Sequence, residues 1–204
     1  MIAALLLAAG SARRFGAPKL LQDLDGKPVL RWSAEWLRGA PVDEICVVVP
    51  PNDAEIRRAL ERLDVRFVVN AHADRGMGSS LACGVSALSP EVDVAVVALA
   101  DEPMVGRAAL LRVVERYMAG GVAIVAPTYR GIRGHPVLFD RTTFVELRAL
   151  SGDQGARAVV DREAQRVAYL ELDEDKPIDV DRPEDLARLG RQRQLMSPST
   201  SQRS

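Results

Sequence analysis

The chain has 204 residues, 48% of them apolar, with 27 Lys and Arg against 28 Asp and Glu, so its net charge is −1. That balance argues against a nucleic-acid binder working by bulk charge, and no apolar run is long enough to span a bilayer. The length suits one domain with a substantial core, and the two cysteines, Cys46 and Cys83, show no framework spacing.

In chain order, the continuous apolar run Ile2 to Ala8 predicts a strand buried on both faces. Pro28 to Leu37 has apolar residues at helical spacing, with Pro28 in the first turn and Gly39 past the end. Ile45 to Val49 predicts a second strand, and Asn52 can cap a helix carrying Ile56, Leu60 and Leu63 on one face. Val65 to Val69 is a third strand, Met77 to Leu88 a helix, and Val92 to Leu99 a fourth strand. Leu110, Val114, Tyr117 and Met118 stripe the next helix, and Val122 to Ala126 is a fifth strand. This alternation implies a mostly parallel sheet with helices on both faces. Beyond it, "HPVLF" and "RVAYLEL" read as strands separated by one or two helices in Phe144 to Asp161, and a short helix spans Pro183 to Leu189. The polar, Ser-rich tail is expected to be disordered. The N-terminus lacks the basic region and cleavage site of a signal peptide, so a cytoplasmic setting is expected.

In an open parallel sheet, ligands sit beyond the carboxyl ends of the strands. The first such place is "LLLAAGSARRFGAPKLL", Leu5 to Leu21. The small residues Ala8, Ala9 and Gly10 let a ligand approach the backbone, whose amides suit a phosphate or a base edge. Arg14 and Lys19 can neutralise a polyphosphate. The Lys-Ser/Thr of a P-loop is missing after Gly16, and the three-glycine dinucleotide pattern is absent. The competing reading is an ordinary strand-to-helix turn with surface cations. Asp101 follows the fourth strand at its carboxyl edge and should project into the cleft, unless it caps the helix after Pro103. "DVD" puts Asp179 and Asp181 on one side of an extended segment, although either could instead cap the helix at Pro183.

"LAAGSARRFGAPKLL" resembles the signature of nucleotidyltransferases related to the molybdenum cofactor enzymes, with Arg14, Gly16 and Lys19 at matching positions. Ala12 departs from the usual Ser or Gly, and Phe15 from the usual Met. "GMGSSLACGV", "LADEP", "RGHPVLF", "SGDQGAR" and "DVDRPEDL" extend the resemblance in order over roughly residues 2 to 190, with Ala100 and Glu102 as substitutions in "LADEP", which resembles the Gly-Asp-Gln-Pro that ends the fourth strand. The nearest group is the molybdenum cofactor cytidylyltransferases. The resemblance implies a three-layer, Rossmann-like α/β fold, with residues 1–105 as the nucleotide half, 106–190 as the acceptor half and 191–204 as a disordered tail.

It further implies transfer of CMP from CTP to the molybdenum pterin cofactor with release of pyrophosphate, and transient contact with a molybdoenzyme; no nucleic acid or membrane partner is expected. Leu7, Ala8, Ala9, Gly10, Arg14, Lys19, Ser79, Ser80 and Asp101 would bind the nucleotide, with Ser80 favoured over Ser79 at the base. Arg14, Lys19 and Asp101 would carry catalysis. Mg²⁺ would be held by Asp101 with Asp179 or Asp181, and Asp179 is the slightly favoured second ligand. His135, Asp153 and Arg157 would line the acceptor side, the last two competing with a plain i,i+4 surface pair. Cys83 reads as a small helix residue facing the core. Guanylyl transfer to the same pterin, cytidylyl transfer to another phosphorylated acceptor, and a non-catalytic carrier of the cofactor remain open as alternatives.

Overall fold

The computed structural model describes residues 1–10, 15, 18–153, 155–162 and 164–196. In chain order the strands and helices are β1 (Ile2–Leu7), β2 (Asp23–Leu24), β3 (Lys27–Pro28), α1 (Val29–Arg38), β4 (Glu44–Val49), α2 (Ala54–Ala59), β5 (Arg66–Val69), α3 (Met77–Ser86) and β6 (Val94–Leu99). They continue as α4 (Gly106–Met118), β7 (Ile124–Tyr129), β8 (Ile132–Arg133), β9 (Val137–Asp140), α5 (Phe144–Arg148), α6 (Arg157–Val160), β10 (Val167–Leu172) and α7 (Pro183–Met196). The main sheet has the order β10-β7-β9-β6-β1-β4-β5, with β8 paired to the end of β7. Every neighbouring pair is parallel except those made by β9, which runs antiparallel to β6 and β7, and the β7–β8 pair.

The uninterrupted apolar run of β1 has a simple cause. Its alternate residues feed two separate cores, because helices cover both faces of the sheet. Ala3, Leu5 and Leu7 pack with Leu81 and Val85 of α3, Leu147 of α5 and Val159 of α6. Ala4, Leu6 and Ala8 pack with Leu30 and Leu37 of α1, Ile56 of α2 and Leu110 of α4. The fold is therefore the three-layer, mostly parallel α/β architecture expected. Among the described residues, no helix is long and apolar enough to cross a membrane.

Several local expectations are corrected. The N-cap of α2 is Asp53, one residue after Asn52, and its carboxylate pairs with Arg57 at 2.8 Å. In α4, Val113 joins Leu110 and Val114 on the buried face, while Met118 is 70% exposed. The final helix does not stop at Leu189 but runs to Met196, so order extends past the expected start of the tail; residues 197–204 lie outside the described residues. That extension is not driven by apolar periodicity. The Arg193 guanidinium lies 3.7 Å from the centroid of the Trp32 ring and its Nε donates to Asp25 at 2.6 Å, tying the last turns of α7 to α1 and the β2–β3 hairpin.

Candidate functional site

Beyond the carboxyl ends of β1 and β6 lies a cleft of about 600 Å³. Leu7, Ala9 and Gly10 form one wall and Ser80, Met77 and Gly76 another; Lys19 and Asp101 line it together with Asp153, Asp179 and Asp181. Ala8 points the other way, as alternation along the strand requires, and borders a second cavity of about 350 Å³ with Pro18, Pro50 and Asn52. Its amide is already committed, donating to the Val48 carbonyl at 2.8 Å. Arg14 and Gly16 lie outside the described residues.

Lys19 links charges from distant parts of the chain. Its Nζ donates to Asp101 Oδ2 at 2.6 Å and to Asp181 Oδ1 at 2.9 Å. Burial alone would lower the lysine pKa, but attraction to Asp101 and hydrogen bonds to both carboxylates outweigh it and leave the group above its ordinary 10.5. Lys19 is thus an ammonium at neutral pH. Asp101 is placed by the end of β6: the Ala100 amide donates to the Leu7 carbonyl at 3.1 Å, and the buried Ser33 hydroxyl donates to the Ala100 carbonyl at 3.1 Å. Asp181 comes from the extended segment before α7. That segment is drawn to the same spot because the Val180 amide donates to the Asp101 carbonyl at 2.9 Å.

Asp179 and Asp181 both face the cleft, as alternation predicts, but their partners differ. Asp179 is engaged by Lys176, whose Nζ donates to its two oxygens at 2.6 and 2.8 Å. Through their shared partner Lys19, Asp181 converges with Asp101. At the start of α7 the carboxylate of Asp185 takes the backbone amides of Asp181 and Arg182. Among the described residues, no cluster of three or more His, Cys, Asp or Glu could hold a metal ion. Two converging carboxylates nevertheless suit Mg²⁺, which takes few protein oxygens and fills the rest of its shell with substrate phosphates and water.

The other expected residues divide. Ser80 lines the cleft and is buried, and its hydroxyl accepts from Asn70 Nδ2 at 3.1 Å. Ser79 does not line the cleft. Asn70 Nδ2 reaches its hydroxyl at 3.0 Å, and that hydroxyl lies within donating distance of the His72 and Gly76 carbonyls, so it ties the loop before α3 together. Asp153 lines the cleft because its loop docks against Gly76: the Gly78 amide donates to the Gly152 carbonyl at 2.8 Å. A side chain at Gly76, whose φ is +96°, would start 2.6 Å from the Gly152 carbonyl, so only glycine permits this approach. Arg157 is turned outward and pairs with Asp161 at 3.6 Å rather than with Asp153. The sequence motifs around Gly76 and Asp153 thus meet in space, whereas Asp153 and Arg157 do not act as a pair.

His135 does not line the cleft; its Nδ1 lies 3.0 Å from the buried carboxylate of Glu102. Burial pushes the Glu102 carboxyl above its ordinary value against the pull of His135, and Asp179 pushes it further. Lys176 stands 3.6 Å from the same carboxylate. Glu102, Lys176 and Asn70 are the participants that sequence reasoning missed. The only signal was Glu102 standing where the resembled motif has Gln. Cys46 is buried, and burial foremost pushes its thiol up to about 12; Cys83 is half-buried against the core, as expected.

A mostly parallel three-layer sheet, with this cleft at the strand ends, places the chain in the nucleotidyltransferase class of α/β folds. The chain belongs to the MobA-like NTP transferase domain family, whose pattern matches residues 4–167. It is similar to Rv0371c from Mycobacterium tuberculosis: 31% identity, 93% of this chain and 97% of that one, and a TM-score of 0.83. A complex of Rv0371c with manganese matches with 30% identity, 93% and 98% coverage and a TM-score of 0.80. Bifunctional protein GlmU from Cutibacterium acnes is 33% identical over 119 residues, 56% of this chain. The match spans 28% of GlmU, so the chain covers well under half the length of that relative. A probable molybdenum cofactor guanylyltransferase from Thermococcus gammatolerans is 41% identical over 66 residues, 32% of this chain and 33% of that protein.

Proposed function

We propose that the chain transfers CMP from CTP to the phosphate of the molybdenum pterin cofactor, releasing pyrophosphate. The observation that carries a transferase reading is the bridge from Lys19 to Asp101 and Asp181 at the cleft floor, where a cation and two carboxylates meet beside the small-residue loop. The family match and the manganese complex of Rv0371c support a metal-assisted nucleotidyl transfer. Preference for CTP rests on Ala9 in the loop signature, where guanylyl-transferring relatives typically have Gly.

In this reading, residues 1–105 hold the nucleotide and 106–190 the acceptor, whose surroundings include Asp153. Lys19, with Arg14, balances the triphosphate charge, and Ser80, aligned by Asn70, meets the base. Asp101 and Asp181 would hold a divalent cation, which when bound would neutralise charge on the phosphates. An oxygen of the acceptor phosphate forms a bond to the α-phosphorus; the bond from that phosphorus to the α,β-bridging oxygen breaks, and its electron pair leaves with pyrophosphate. A phosphate monoester is already an oxyanion near neutral pH, so no general base is needed. That fits a cleft without a lining histidine among the described residues.

The short stretch of high identity to the guanylyltransferase of Thermococcus favours a second reading, GMP transfer to the same pterin. Pyrophosphate release, measured with each nucleoside triphosphate, Mg²⁺ and the reduced pterin cofactor, separates the two. The expected result is CTP-dependent release and a cytosine dinucleotide product. Faster turnover of GTP would establish the second reading. Binding of the pterin without pyrophosphate from any nucleotide would instead identify a cofactor carrier.

A further inference from the structure

We infer that Asp185 is a positioning residue that sets the Asp181 carboxylate toward Lys19 and Asp101, an inference that rests on the metal role proposed for Asp181. The segment 179–181 has no strand or helix of its own to hold it, and the Asp181 side chain is 52% exposed. Lys19 Nζ holds its Oδ1 at 2.9 Å, and the backbone on either side sets where that side chain starts from. Before Asp181, Val180 is fixed twice: its amide donates to the Asp101 carbonyl at 2.9 Å, and its side chain is fully buried with Leu24, Val29 and Leu189. After it, one oxygen of Asp185 accepts both the Asp181 amide at 3.0 Å and the Arg182 amide at 2.8 Å. These are charge-assisted bonds to amides at the start of α7, where the helix offers no internal acceptor.

The two tethers have different reach. The Val180 bond brings the segment to the end of β6. The Asp185 bonds fix the Asp181 and Arg182 peptide planes, and with them the rotation that aims the Asp181 side chain. Without Asp185, Val180 would stay in place while Asp181 could swing away from Lys19. Asp185 would then act as the outer support of a metal ligand without touching metal or substrate.

The test uses the full chain and Mn²⁺ with CTP in the absence of acceptor. The ternary complex is read by water-proton relaxation, and the melting temperature is measured in parallel. Asp185→Ala should weaken Mn²⁺ binding about tenfold, at the low end of the effect of removing a residue that orients a metal ligand. Asp185→Asn keeps one acceptor oxygen and should bind Mn²⁺ nearly as the wild type does; where the alanine variant fails to fold, Asp185→Leu, which removes the acceptor but keeps the bulk, should show the same loss of about tenfold, and wild-type affinity in it overturns the inference. Arg193→Ala loosens the far end of α7, where Arg193 meets Trp32 and Asp25, without touching Asp181. It should lower the melting temperature yet leave Mn²⁺ affinity unchanged. An Asp185→Ala affinity equal to wild type, or a loss matched by Arg193→Ala, overturns the inference. Unchanged affinity in Asp181→Asn would overturn the metal role itself, so the two failures are distinguishable.

Discussion

Asp101 and Asp181 meet on one lysine but are built in opposite ways. Asp101 follows β6, a strand flanked on both sides and sealed by cores on both faces, so its place is dictated by the sheet. Asp181 hangs on an irregular segment between β10 and α7 and is placed by a few named bonds. A carboxylate on the sheet is therefore robust to changes elsewhere, whereas the one on the segment depends on its neighbours. Each substitution below either removes one side of this contrast or tests how independent the sides are.

The largest effect is expected at the sheet side. Asp101→Asn removes a charge from the proposed metal site while keeping size and shape, so kcat should fall about a thousandfold, comparable with losing a main electrostatic contributor. The melting temperature should stay near that of the wild type, because β6 is held by its ladders and not by this side chain. Near-normal turnover at saturating Mg²⁺ would remove Asp101 from the site.

On the segment side, the two aspartates should separate. Asp181→Asn weakens the link to Lys19 and should cost about a hundredfold in kcat, with a higher Mg²⁺ requirement. Asp179→Asn leaves the Lys19 bridge intact and weakens the links to Lys176 and Glu102, so its loss should be below about tenfold by the same yardstick. Equal losses would mean that both oxygen donors serve one ion. The reverse order would restore Asp179 as the ligand.

The difference between the two sides also explains what could be read in advance. The β1 and β6 runs are legible because burial on both faces leaves an unbroken apolar signature, and a carboxylate just past such a run must face the cleft. Alternation correctly put Asp179 and Asp181 on one side. It could not rank them, because the choice is made by Lys19, Lys176 and Asp185, whose contacts are invisible to local periodicity. The pairing of Arg157 is hidden for a related reason: four-residue spacing allows a pair with Asp153, but residue 157 begins α6 and its helical partner is Asp161. Glu102 and Asn70 work through His135 and the two serines, so neither shows a motif of its own.

The far end of α7 tests whether stability and site placement can be uncoupled. A chain ending at Arg191 loses the Arg193 contacts with Trp32 and Asp25. A cation–π contact and a partly exposed ion pair together amount to about 1–2 kcal/mol. For a chain of this size that lowers the melting temperature by about 2–8 °C. The sequence alone predicts no loss, since Gln192 to Ser204 have no apolar periodicity. Activity at 25 °C should be retained, because Asp185 and Val180 stay in place. A large fall in kcat without further loss of stability would show that the end of α7 reaches the cleft.

The smallest effect belongs to the sheet side again, at Ala9. This residue lines the cleft yet is only 5% exposed, so its methyl is held against the core and cannot retreat when a base arrives. A purine brings a larger ring system than a pyrimidine, and the methyl would crowd it. Glycine at this position would let the ring approach the backbone more closely. One methyl group discriminates by at most about 1–3 kcal/mol, and here only part of it acts on the base, so Ala9→Gly should raise the GTP-to-CTP ratio of kcat/KM about three- to tenfold. The order of preference should survive, because the hydrogen bonds proposed from Ser80 and the loop to the base would be untouched. The check is kcat/KM for both nucleotides in both proteins. An unchanged ratio would leave the choice of base to Ser80 and its partner Asn70 on the opposite wall, whereas a wild type that already prefers GTP would show that the Ala9 methyl excludes nothing.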